Sequence, residues 1–167
     1  MIKKHALLLA LVSVIFASCS KDEINENSKV IGSWTLTNYE IGVSVDIDKN
    51  GSESFNLLEE LECENKEVLI FEANGTVSSN DTFNPNIAIS KLDISDDYVF
   101  DVECAEGIIS FATSYVLDNN TVEFSDKTSN ISGNTLTRVF ENAIEIYNED
   151  FSEIQETRNL TLIYTKE

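Results

Sequence analysis

The segment 98–104, YVFDVEC, decides how this chain is read. Tyr98, Phe100, Val102 and Cys104 share one side of a period-two alternation, and Val99, Asp101 and Glu103 share the other. Successive side chains of a strand point to opposite faces, so the pattern predicts a strand with one buried face. The same beat recurs downstream. ISFATSYVL (109–117) groups Ile109, Phe111, Tyr115 and Leu117; NTLTRVF (134–140) groups Leu136 and Phe140; NLTLIYT (159–165) groups Leu160, Leu162 and Tyr164.

Turn signals separate these runs at Asn74-Gly75, Asp118-Asn119-Asn120 and, within 130–134, Ser132-Gly133-Asn134. Asn-Gly readily takes the positive φ angles of a two-residue hairpin. FNLLEELECE (55–64) reads as the one short helix, with Leu57, Leu58 and Leu61 covering an opening or edge of the sheet. Residues 78–91 lack a period and hold the sole proline, Pro85, which predicts an irregular loop; 149–157 reads as a turn or linker with some helical potential. The expectation is an all-β domain of about eight short strands, an antiparallel meander closed as a barrel or folded as a sandwich.

The N-terminus has a different character. Lys3 and Lys4 precede the apolar run ALLLALVSVIFA (6–17), which is shorter than the roughly 20 residues of a membrane-spanning helix. The run ends in small residues directly before Cys19, as in a bacterial lipobox, although Phe16 replaces the usual Leu. Residues 1–18 are therefore expected to be a lipoprotein signal peptide, with Cys19 acylated and anchoring the chain to a membrane. Residues 19–29 would form a polar, flexible tether, and residues 30–167 the folded domain. Ser20-Lys21-Asp22-Glu23 resembles the export signal that carries lipoproteins of Bacteroidota to the outer face of the outer membrane.

Charge excludes one class of partner. The formal net charge is −19; removal of residues 1–18 takes two lysines and no acids, which leaves 30 acidic and 9 basic residues, about −21. Such a field repels phosphates, so no nucleic acid partner is expected, while solubility, cations and basic partners are favoured.

The sole histidine, His5, lies in the signal segment. Without it the folded domain cannot assemble a Ser-His-Asp or Cys-His arrangement, or a His-ligated zinc site. Carboxylate pairs remain open in principle, but among 30 acids any suitable spacing is uninformative. A non-enzymatic protein is expected.

Three segments carry a family resemblance: VIGSWTL (30–36), CENKEVLIFEANGT (63–76) and LTLIYTK (160–166). The Gly-x-Trp near the start of the first strand is similar to the opening motif of lipocalins, with Gly32-Ser33-Trp34 standing for the usual Gly-Thr-Trp. Together the segments resemble the lipocalin-like domains of Bacteroidota lipoproteins, over most of residues 30–166. The resemblance implies an antiparallel up-and-down lipocalin-like β-barrel with Gly32 and Trp34 at one end, and implies very little about a ligand.

The candidate sites follow from residue types. Cys63 and Cys104 are the cysteines left beside Cys19, and an exported chain meets an oxidising compartment, so a disulfide is expected; a metal thiolate or a nucleophile would lack partners. The inward set is aromatic, and Phe100, Phe111, Tyr115, Phe140 and Tyr164 either fill the core or line a cavity for a small apolar or amphipathic ligand. A ligand-free surface adaptor is the competing reading. Trp34, next to Leu36 on its face, reads as core against a ligand contact.

Finally, DIDKNGS (46–52) begins like a calcium loop, with Asp46, Asp48 and Asn50 at alternate positions, Gly51 at the turn and Ser52 offering a carbonyl. Leu57 stands where the closing bidentate Glu belongs, and the preceding NYEIGVSV reads as strand, so this is not an EF-hand. The segment is either a calcium site completed by Glu59 or Glu60, or an Asn-Gly turn with exposed aspartates.

Overall fold

The computed structural model describes residues 26–95 and 97–167. The expected signal peptide, Cys19 and most of the expected tether lie outside the described residues. No described helix is long and apolar enough to cross a membrane.

Twelve strand segments form one sheet: β1 Gly32–Val45, β2 Ser54–Asn56, β3 Val68–Phe71, β4 Thr76–Ser79, β5 Asn86–Lys91, β6 Tyr98–Glu103, β7 Phe111–Ser114, β8 Val116–Asp118, β9 Thr121–Phe124, β10 Lys127–Ser132, β11 Thr135–Asn148 and β12 Ile154–Lys166. The principal path runs β7-β4-β3-β1-β12-β11-β10-β9-β8. Its two ends, β7 and β8, flank Tyr115 and are successive halves of one bent strand, so the sheet curls into a nearly closed antiparallel barrel of eight staves. At the bend the Tyr115 amide bonds the Gly75 carbonyl. Each stave pairs with its sequence neighbour in the ring, and β12 returns to β1 through Trp34↔Lys166 to Glu40↔Thr161. This is the up-and-down barrel that the alternation and the Gly-x-Trp resemblance predict.

The barrel base is closed by packing. Trp34 is fully buried and its Nε1 donates to the Val30 carbonyl at 2.7 Å. Lys166 lies over the Trp34 ring at 5.4 Å and donates to the Lys29 carbonyl, which ties down the 3₁₀ turn Glu26–Lys29. Trp34 shares its core cluster with Leu36, Leu69, Phe71, Val77, Val122, Phe124 and Leu136, all at most 2 % exposed. Trp34 is thus a core residue, and Gly32, at φ +124, has the Lys166 side chain within 3.3 Å of where a Cβ would stand.

Two additions widen the sheet at the other end, the wide end of the molecule. The first half of β1 pairs with β3, and its second half departs to pair with β2. The β5–β6 hairpin docks in parallel on the far end of β11, Ile146↔Ile89 to Asn148↔Lys91. It occupies part of 78–91, which sequence pattern assigned to an irregular loop. Its burial does not alternate, because Ile89 and Ser90 are both covered, and Pro85 stands just before the strand, where no ladder donor is needed.

The predicted helix shrinks to α1, Leu57–Glu60. Asn56 caps it by accepting from the Leu58 amide, and Leu61 is already extended. The chain is then held extended by Asn65, which donates to the Leu36 carbonyl and accepts from the Glu67 amide. Residues 149–157 resolve into a turn followed by the start of β12 at Ile154. Within 130–134 only Gly133 and Asn134 turn, since β10 runs on to Ser132.

Candidate functional site

Cys63 and Cys104 are disulfide-bonded, with Cα atoms 5.4 Å apart. The bond joins the extended segment after α1 to the end of β6, and so fastens the added hairpin to the barrel. A groove of about 350 Å³ runs beside it, with Lys66, Phe83, Pro85 and Ile108 in its walls.

The acidic loop leaves the end of β1 at the wide end. Its turn is built from its own side chains: Asp48 Oδ1 accepts from the Asn50 amide, Asn50 Oδ1 from the Ser52 amide, and Asp46 Oδ2 from the Gly51 amide. Lys49 and Gly51 take positive φ, 58° and 86°. α1 then brings Glu60 underneath. That carboxylate is 5 % exposed and accepts from the Ile47 amide at 2.9 Å.

One oxygen each of Asp46, Asp48 and Glu60 lie within 4.8 Å of one another. Asp46 Oδ1 is buried and finds no hydrogen-bond partner among the described residues. Of the two acids expected to complete the loop, Glu60 lies beside Asp46 and Asp48, and Glu59 turns away, accepting from Ser54 Oγ at 2.7 Å. Asn50 spends its amide group on Asp48 Oδ2, and Ser52 joins the turn through its backbone.

Next to this loop a groove of about 570 Å³ separates the far half of β1 and β2 from β6. Val43, Val45, Phe55, Tyr98 and Phe100 give it apolar walls, and Asp46, Glu53 and Asp97 stand along it. Phe55 is 59 % exposed, one of several large apolar side chains left on the surface.

The aromatic set expected to line a ligand cavity is dispersed. Phe100 alone borders this groove. Phe111 stacks on Phe124, and Tyr115 packs edge-on against Phe71 while its hydroxyl donates to the Glu72 carbonyl. Phe140 lies beneath Lys127 and Arg138. Tyr164 is fully buried.

Tyr164 belongs to a polar network inside the barrel. Its hydroxyl donates to Glu67 Oε1 at 2.6 Å, and the Phe83 amide donates to Glu67 Oε2 at 2.9 Å. Burial raises the Glu67 carboxyl above its ordinary range, against the pull of Tyr164, Phe83 and the Arg138 charge. Arg138 is 7 % exposed, its guanidinium 4.0 Å above the Phe124 ring, and burial lowers its pKa. The neighbouring Tyr39 is pushed up to about 12 by burial and by the Glu67 charge. Arg138 Nε and the Oγ of its register partner Ser129 are buried with no partner among the described residues. Sequence reading had not singled out Glu67 or Arg138, yet the signal was present: each continues a period-two series, Glu67-Leu69-Phe71 and Leu136-Arg138-Phe140.

No protein-family model, curated protein or solved structure matches the chain.

Proposed function

We propose that this chain is a lipid-anchored, non-enzymatic lipocalin-like binding protein of the outer membrane, of the Bacteroidota type, held by acylated Cys19. Its ligand would be a small apolar or amphipathic molecule seated at the wide end of the barrel rather than along its axis. The observation that carries this reading is the 570 Å³ groove between β1, β2 and β6, with Phe55 displayed at its edge. A volume of this size lies within the usual range for small-molecule sites, roughly 300–1,000 Å³. The aromatic base of the barrel serves as the rigid support. Native mass spectrometry of the protein purified from its host, followed by solvent extraction, is expected to recover a small molecule lost on Phe55→Ser substitution. Purification of the bare chain with a protein partner instead would favour the surface-adaptor reading.

A second reading concerns the loop. The unpartnered, buried Asp46 Oδ1 beside Asp48 and Glu60 favours calcium over a plain turn, because a hard cation would satisfy an oxygen that protein donors leave bare. Calcium here would brace the loop that forms one wall of the groove.

A further inference from the structure

The groove at the wide end has a charge as well as a shape. Its three charged lining residues, Asp46, Glu53 and Asp97, are all carboxylates. Two cations on neighbouring strands have partners of their own. Lys91 lies 5.8 Å over the outer ring of Tyr98, and Arg158 pairs with Glu156 at 2.8 Å. Glu53 and Asp97 are exposed at the rim, and Ser44 Oγ donates to Glu53 Oε2 at 2.6 Å, fixing that carboxylate against β1.

The walls between these charges are aromatic: Phe55 on β2, Tyr98 and Phe100 on β6. Tyr98 is held in place by its hydroxyl bond to Glu156 Oε1 at 2.7 Å, and its ring lies 6.2 Å from that of Phe100. Aromatic faces attract a desolvated cation through the ring quadrupole, and carboxylates at the rim add a longer-range attraction. An anionic amphiphile would meet three like charges. A neutral one would gain the apolar contacts and leave the carboxylates idle.

We propose that the groove is a site for a cationic amphiphile, an organic ammonium with an apolar tail, whose tail lies on Phe55 and Phe100 and whose head sits between Glu53, Asp97 and Asp46. This rests on the groove being the ligand site. The experiment compares three probes of equal tail, octyltrimethylammonium, octyl glucoside and octanoate, each below its micelle concentration. Binding to the folded chain is followed by calorimetry in a chelator-containing buffer of low ionic strength.

The expected result is that the ammonium binds at least about tenfold more tightly than the glucoside, that octanoate binds weakest, and that the ammonium preference shrinks with salt. The Glu53→Gln, Asp97→Asn double variant should lose most of the ammonium preference and keep its affinity for octyl glucoside. Equal binding of ammonium and glucoside overturns the cation preference and leaves the groove standing as an apolar site. Failure of all three probes overturns both. An ammonium affinity unchanged in the double variant assigns the attraction to overall charge and overturns the proposal as well.

Discussion

The Tyr164 hydroxyl reaches Glu67 Oε1 at 2.6 Å across 97 residues of sequence, joining the last stave of the barrel to the segment that leads into β3. Both groups are enclosed, so neither can turn to water if the other is removed. Tyr164→Phe leaves a buried carboxylate short of one donor and is expected to cost about 1–3 kcal/mol. Urea denaturation measures it; unchanged stability would show that the bond is energetically idle.

Glu67 also sets a pH dependence. Its carboxyl is raised in the folded state, from an ordinary value of 4.5, chiefly by burial. The folded protein then holds a proton that the unfolded chain has released, so stability falls as pH rises from that value through the raised one. Its contribution is complete below pH 4.5 and lost above the folded-state value. Stability curves of the native chain and Glu67→Gln should therefore change their separation across this window, the native chain losing ground as pH rises. Parallel curves would refute the assignment.

The fold was legible where one face of a strand is buried and the other is wet. YVFDVEC, NTLTRVF and NLTLIYT each became a strand with the expected face inward, and Asn74-Gly75 became a hairpin turn between β3 and β4. β5 was hidden because its docking on β11 buries adjacent residues, which erases alternation. The helix was overextended because 61–67 is held straight by the tertiary bond from Asn65 to the Leu36 carbonyl, which no local propensity encodes. Of the candidate metal residues, Asp46 and Asp48 were recognisable from spacing, but that Glu60 and not Glu59 lies beside them depends on how α1 is docked against the loop. The groove was illegible, since it arises where β1, beyond its pairing with β3, takes β2 as its neighbour and faces β6 across a gap.

The Cys63–Cys104 bond closes a separation of 41 residues. In the chain-entropy model such a crosslink contributes about 4 kcal/mol. Reduction, or a double change to Ala, should lower the melting temperature and expose the β5–β6 hairpin first. Hydrogen exchange would show this as faster exchange at Tyr98–Glu103 than in β11–β12. Uniform loss of protection would instead mean that the hairpin and barrel unfold together.

Gly42 marks the place where β1 peels away from β12. It sits at φ +81, and a Cβ there would stand 2.9 Å from the Arg158 Cβ, a contact fixed by backbone. Gly51 shares the positive φ, 86°, but opens into free space. Gly42→Ala is expected to cost more than about 1 kcal/mol and more than Gly51→Ala, because the second substitution carries backbone strain alone. Equal losses in thermal melts would show that the approach of Arg158 imposes no constraint.

The loop offers the sharpest contrast between neighbouring side chains. Glu60 is buried with its carboxylate close to those of half-buried Asp46 and exposed Asp48, whereas Glu59 is exposed and bonded to Ser54. If calcium binds here, millimolar calcium should raise the melting temperature relative to chelator by an amount that grows with the logarithm of its concentration. Glu60→Gln and Asp46→Asn should abolish that rise, and Glu59→Gln should leave it intact. The two substitutions remove the same charge one residue apart, so a general response of an acidic surface would affect both alike. An unchanged midpoint in the native chain would leave the segment as a turn held by its own aspartates and asparagine. Loss of the response in Glu59→Gln alone would place the cation on the outer face of α1, away from the groove.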